Sequence, residues 1–175
     1  MTALIDAYDA ALFDLDGVIY LGPLAVPGAT VALAELQQRG TKVVYVTNNA
    51  ARAAETVVNQ LRELGFDAGS ENVLTSAQVA ATALADVLAP GSKVLVAGSA
   101  SLSGLIAEVG LRPVSSAEDE PVAVLQGYDP MLSWPTLDEV CLAIARGASW
   151  YATNDDASRP TDRGLVPGAG AMIAA

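Results

Sequence analysis

Histidine is absent from this 175-residue chain. That removes Ser-His-Asp hydrolases, histidine phosphatases and histidine-ligated zinc sites together, because each needs an imidazole as base, nucleophile or ligand. Cysteine occurs once, at Cys141, so no internal disulfide can form, and the chain reads as a cytoplasmic protein of a reducing compartment. A cysteine phosphatase would need that thiolate in an anion-binding loop. Cys141 instead falls in the series Leu137, Val140, Cys141, Ile144, and no glycine lies between it and Arg146, five positions on, which predicts a buried structural thiol on a helix. Basic residues are scarce: 9 Lys and Arg against 20 Asp and Glu give a net charge of −11. Nucleic acid and anionic membranes are therefore poor partners, and a small anionic substrate would need a local cation. There is no run of 18 apolar residues, and the N-terminal stretch is acidic where a signal peptide would be basic.

What is present is core-forming material, since 52% of residues are hydrophobic, and it alternates between two patterns. Residues 10–15 are a short apolar run ending in acid and residues 42–46 a second run rich in β-branched residues, and both read as buried strands. Between them Gly28 to Arg39 reads as a helix with Val31, Ala34 and Leu36 inward and Gly40 as its stop. A strand, helix, strand unit of this kind predicts parallel strands. A second helix is predicted from about Ala50 to Leu64, with Val57, Leu61 and Leu64 inward. A third is predicted after Ser76 as cap, with Val79, Ala83, Leu84, Val87 and Leu88 inward and Pro90-Gly91 as stop. From Lys93 the alternation restarts: strand 94–97, helix 102–109, strand 122–126, helix 137–146 with Thr136 and Glu139 at capping-box spacing, and strand 150–153. Gly98 lies between a strand and a helix, but no GxGxxG or GKS/GKT pattern surrounds it, so it reads as a tight connection. The segment from Pro167 to Ala175 reads as a turn opening a helix with no stop signal.

Two constellations carry chemistry. In Leu12-Phe13-Asp14-Leu15-Asp16-Gly17-Val18, two carboxylates stand two residues apart where a buried strand should emerge, at the end where open α/β sheets keep their sites. Directing both into a crevice costs desolvation and repulsion unless a cation compensates. Magnesium suits such a pair, because it takes hard oxygen ligands from a few carboxylates plus substrate phosphate. Gly17 would let the backbone turn sharply. The four letters Asp-x-Asp-Gly alone also fit a solvated turn or a calcium loop, but Val18, Ile19, Tyr20 and Leu21 follow where a calcium loop needs oxygen ligands. The second constellation, Val46-Thr47-Asn48-Asn49, puts a hydroxyl and amides at a strand end before a helix, either as an anion site or as plain helix capping. The predicted crossover sets this strand end beside that of Asp14 and Asp16.

With these residues the sequence resembles the haloacid dehalogenase superfamily of phosphatases. More narrowly it resembles the branch of para-nitrophenyl, phosphoglycolate and glycerol-phosphate phosphatases. Asp14 to Val18 match the first family motif and Val46 to Asn49 the second; Ala152 to Asp156 through Pro160 and Pro167 to Gly170 match as well, so the similarity runs over nearly the whole chain. The resemblance implies an α/β fold, part of a doubly wound Rossmann-like parallel sheet core in residues 1–85 plus an inserted α/β cap domain in residues 86–175. It implies Asp14 as the nucleophile that forms an aspartyl-phosphate, Asp16 as general acid and then base, and Thr47 and Asn48 as phosphate-binding residues. Mg2+ would contact the Asp14 carboxylate and the Asp16 backbone carbonyl. Asn154 and Asp156 would lie on the cap surface that reads the substrate, a small phosphorylated metabolite of the glycerol phosphate or phosphoglycolate type; a surface turn is the other reading of these two. The cap sheet is the expected homodimer contact.

The chain also departs from that pattern. The family's later lysine and acidic pair, and the core strands that would flank the Asp14 strand, do not occur before residue 175, so the expectation is a portion of a longer protein, inactive by itself, with an unpaired strand edge. A receiver domain would use similar residues, but it needs no second α/β unit after Lys93. A noncatalytic binding or dimerisation module that kept part of the fold is the remaining alternative.

Overall fold

The computed structural model describes residues 4–161 and 163–173, so the last two residues expected in the terminal helix lie outside the described residues. Two compact units account for the chain. One takes residues 4–47, 54–74 and 159–166, Asp162 apart; the other takes residues 48–53, 75–158 and 167–173. The architecture is α/β, as expected.

In the first unit, strand β1 (Ala10–Asp14) leads through a small hairpin, β2 (Tyr20–Leu21) and β3 (Leu24–Ala25), into helix α1 (Ala29–Gln38) and strand β4 (Lys42–Thr47). Helix α2 (Ala54–Glu63) and strand β5 (Val73–Thr75) follow. The sheet order is β1-β4-β5, and β1 and β4 run parallel from Ala10↔Lys42 to Asp14↔Val46. Among the described residues strand β1 therefore pairs on one side only, and Leu12 stays exposed. Leu15, Ile19, Tyr20, Leu33, Tyr45, Val57 and Leu61 are in the core of this unit, each large aliphatic side chain contributing about 1.5–3 kcal/mol through burial.

Two helix faces differ from the sequence reading. Helix α1 turns Leu33 inward, with Ala29 and Leu36 packed against the core, while Val31 and Ala34 are exposed. Its stretch Ala-Thr-Val-Ala-Leu-Ala is apolar nearly all round, so periodicity cannot fix its phase; the sheet it packs on does. Helix α2 begins at Ala54 rather than Ala50, because Asn49 Oδ1 accepts from the Ala51 N–H in a local turn at 3.0 Å, a competitor to helix at such residues.

In the second unit, helix α3 (Ser76–Val87), strand β6 (Lys93–Ala97), helix α4 (Ala100–Glu108), strand β7 (Arg112–Val114), strand β8 (Ala123–Gln126), helix α5 (Trp134–Ala145) and strand β9 (Ser149–Ala152) make a second parallel sheet in the order β7-β6-β8-β9. The N-cap of α3 is Thr75, not Ser76: its hydroxyl accepts from the Gln78 N–H, and Gln78 returns the bond. Its inward residues are Ala77, Ala81 and Leu84, while Val79 and Val87 are exposed. Likewise α5 is capped by Ser133, and Glu139 accepts from the Ala117 N–H at 2.6 Å instead of capping. Cys141, expected to be buried, is exposed; Val140 and Ala143 take the core positions. Around Gly98 the space is filled, since a Cβ there would meet Leu102 Cδ2 at 2.9 Å, in keeping with a packed connection. A last hairpin, β10 (Ser158–Thr161) with β11 (Gly164–Pro167), precedes the short helix α6 (Gly170–Ile173). No helix among the described residues is long and apolar enough to cross a membrane.

Candidate active site

Strand β1 delivers Asp14 as its last residue, and the chain then coils tightly. The Leu15 carbonyl accepts from the N–H groups of Val18, Ile19 and Tyr20 at 3.2, 3.0 and 3.1 Å, and the Gly17 N–H donates to the Tyr20 carbonyl at 2.7 Å. Leu15, Ile19 and Tyr20 are buried beneath this coil, which anchors it and leaves Asp16 at its rim, partly exposed. Gly17 has φ +85°, a left-handed conformation that other residues reach only at a cost. The hairpin β2–β3 follows directly, which removes the helix-loop-helix calcium reading.

Strand β4 presents Val43, Tyr45 and Thr47 on its buried face. Tyr45 is fully buried; its hydroxyl donates to the Asp67 carbonyl at 3.2 Å, and burial, helped by the Asp67 carboxylate, pushes its pKa up to about 12. Because Asp14 pairs with Val46, Thr47 is one step beyond the residue opposite Asp14, and neighbouring strands run about 4.8 Å apart. The carboxyl ends of β1 and β4 thus bring Asp14, Asp16 and the 6% exposed Thr47 to one end of one sheet, the juxtaposition expected from sequence.

Two details of that expectation change. Asp14 is exposed, so its charge needs no compensating cation to exist there, and the desolvation argument for a metal loses its force. The start of α2 at Ala54 also lies seven residues past Thr47, so free N–H groups of a helix start do not directly follow the threonine. Among the described residues no group of three or more Asp, Glu or Cys could hold a metal ion. Asp14 and Asp16 alone supply one carboxylate pair, a set that suits magnesium only when substrate and water oxygens complete it.

In the second unit Asn48 gathers partners from distant segments. Its carbonyl accepts from Asn154 Nδ2 and from Ser76 Oγ, each at 2.8 Å, and its side-chain amide donates to the Asp156 carboxylate. Asn154 and Asp156, expected on a substrate-reading surface, have their polar groups on Asn48. The role of Ser76 went unseen because its only sequence signal is proximity to a helix start, which capping explains equally well.

Residues 11–112 match the haloacid dehalogenase-like hydrolase family. The chain is 46% identical over all its 175 residues to the D-glycerol 3-phosphate phosphatase of Mycobacterium tuberculosis (strain ATCC 25618 / H37Rv), covering 49% of that protein. It is 36% identical over 165 residues to the acid sugar phosphatase of Staphylococcus aureus (strain USA300), covering 94% of this chain and 62% of that one. The crystal structure of the glycerol phosphate phosphatase from M. tuberculosis in complex with magnesium superposes with a TM-score of 0.93 at 45% identity, over 99% of this chain and 52% of the other. The chain thus spans between 49% and 62% of the length of these curated relatives.

Proposed function

We propose, since this chain belongs to the haloacid dehalogenase-like hydrolase family, that it carries the nucleophilic part of a magnesium-dependent phosphomonoester hydrolase. The observation that carries this reading is the pairing of Asp14 with Val46, which sets the acids and the threonine at adjacent strand ends. The Asp14 carboxylate attacks phosphorus while the ester oxygen leaves with a proton from the Asp16 carboxyl. That gives an aspartyl-phosphate and the free alcohol. Asp16, now ionised, accepts a proton from water as the water oxygen attacks phosphorus, and phosphate departs from a regenerated Asp14. Thr47 and Asn48 hold the phosphate oxygens; Thr47 is buried at 6% exposure, where a donor in a low-dielectric setting is worth more than in water. Magnesium, held by the Asp14 carboxylate and the Asp16 carbonyl, would supply charge neutralisation for the phosphoryl oxygens.

The substrate is a small phosphate ester of the glycerol phosphate or phosphoglycolate type, a class supported by the activity in the names of the two curated relatives. Residues 1–85 serve as core and 86–175 as cap, the protein is cytoplasmic, and the cap sheet is the homodimer contact. In support of the last point, β9 is an edge strand whose four residues, including Trp150 and Tyr151, are all exposed. The alternative reading is that the 175-residue chain alone is inactive or acts only as a binding module. The test is chemical trapping in the full-length protein with Mg2+. Wild type should yield an acyl-phosphate and Asp14→Asn none; an acyl-phosphate on Asp14→Asn refutes the nucleophile.

A further inference from the structure

Asn48 directly follows Thr47 in the chain, yet it belongs to no helix or strand and its side chain is exposed. A single exposed hydrogen bond competes with water and contributes only about 1 kcal/mol, so one partner would not fix such a residue. Here three converge. Asn154 Nδ2 and Ser76 Oγ donate to its carbonyl, each at 2.8 Å, and Asp156 takes its side-chain N–H. In a trans peptide the carbonyl and the following N–H point in opposite directions. Two donors on the Asn48 carbonyl therefore also aim the Asn49 N–H.

The turn that supplies this grip is itself held. Asn154 Oδ1 accepts from the Asp156 N–H at 3.1 Å. The Gly168 N–H donates to the Ala157 carbonyl at 3.0 Å, and the Gly170 N–H donates to the Asp156 carbonyl at 2.9 Å. A Cβ at Gly168 or Gly170 would run into the carbonyls of Asp156 and Asp155, so glycine at both positions is what lets these backbones lie together. The stretches Thr153 to Asp156 and Pro167 to Gly170, separate in sequence, form one device.

We infer that Asn154 and Asp156, with Ser76, are positioning residues that clamp Asn48 and so fix the turn that holds phosphate. This rests on the reading of Thr47 and Asn48 as phosphate holders. A clamp acts on the part every ester shares, whereas a residue touching the leaving group discriminates among esters. Asp156→Asn keeps an oxygen to accept from Asn48 and so separates geometry from charge. Asn154→Asp keeps the acceptor for the Asp156 N–H but removes the donor to Asn48.

The experiment measures kcat and KM for p-nitrophenyl phosphate and for glycerol phosphate, and inhibition by inorganic phosphate, in the full-length protein with Mg2+. Asp156→Ala and Asn154→Asp should raise the phosphate inhibition constant and lower kcat/KM for both esters by one common factor, roughly tenfold or more given the cost of misplacing a binding group. Asp156→Asn should remain within about twofold of wild type, since its acceptor survives. Ser76→Ala, which leaves the turn untouched, should act in the same direction and serves if a turn variant fails to fold. An unchanged phosphate inhibition constant in Asn154→Asp and Ser76→Ala, or a loss confined to one ester, overturns the clamp. Thr47→Ala distinguishes the two levels: if it weakens phosphate while the clamp variants do not, only the clamp fails; if it does not, the phosphate-binding assignment falls as well.

Discussion

Tyr45→Phe removes one oxygen from the strand that delivers Thr47, and the structure sets the sign and size of the effect at two pH values. At pH 8 the change deletes the bond to the Asp67 carbonyl, but that carbonyl keeps Gln37 Nε2 at 3.3 Å and is not orphaned. The loss should therefore be about 1 kcal/mol, the net value of an ordinary hydrogen bond. The packing of the ring on Phe66, edge-on at 6.3 Å between centroids, is retained. At higher pH the sign shifts. The Tyr45 pKa is raised from 10.0 to about 12, first by burial and then by the Asp67 carboxylate. The folded state thus keeps a proton that the unfolded chain has lost, and its stability is complete below pH 10 and falls as pH climbs toward 12. With those two values, the wild type should lose about 1.4 kcal/mol between pH 8 and pH 11 through this group, a loss that phenylalanine cannot show. Urea denaturation followed by circular dichroism at pH 8, 9, 10 and 11 gives the gap between the two proteins. It should close and pass slightly through zero, to about 0.4 kcal/mol in favour of phenylalanine, by pH 11. A gap that stays constant across the series would mean that Tyr45 ionises as freely in the folded protein as in the unfolded chain, and the burial argument would be wrong.

Gly17→Ala should cost about 1–2 kcal/mol in stability, because φ is +85° with no neighbour within 4 Å of a Cβ; a neutral result in the same denaturation assay would show that the turn relaxes. Asp16→Asn should slow turnover by about 10²–10⁴-fold through lost proton transfer while still permitting an acyl-phosphate to be trapped from an activated ester, and failure to trap any would assign Asp16 another role. Glu139 is held below the ordinary carboxylate range first by the Ala117 N–H and then by the Ser116 hydroxyl, so its contribution is present above the unfolded value of 4.5 and is lost as pH falls. Acid titrations of Glu139→Gln should be flatter than wild type, and superimposable curves would refute this. Exchanging residues 86–152 for the matching part of another cap, with the turn from Thr153 to Gly170 that grips Asn48 retained, should reorder ester preference and leave p-nitrophenyl phosphate turnover largely intact; an unchanged order would remove selectivity from the cap.

Much of this protein was written in short-range pattern. The apolar runs ending in Asp14 and Thr47 fixed two strands, and the helix between them required those strands to be parallel, so the meeting of Asp14, Asp16 and Thr47 followed from connectivity. That inference works because a strand's period and a crossover's topology are local properties of the chain. Helix phase was not local. In α1 and α3 alanines and valines surround the axis, and the buried side, Leu33 or Ala77, Ala81 and Leu84, was chosen by the surface each helix meets. The same holds for Cys141, whose neighbours Val140 and Ala143 took the core. The grip on Asn48 depended most on tertiary structure, since its partners lie 28, 106 and 108 residues away. A side-chain hydrogen bond reaches only about 3 Å and has no periodicity to leave in sequence; only folding brings Ser76, Asn154 and Asp156 within that distance.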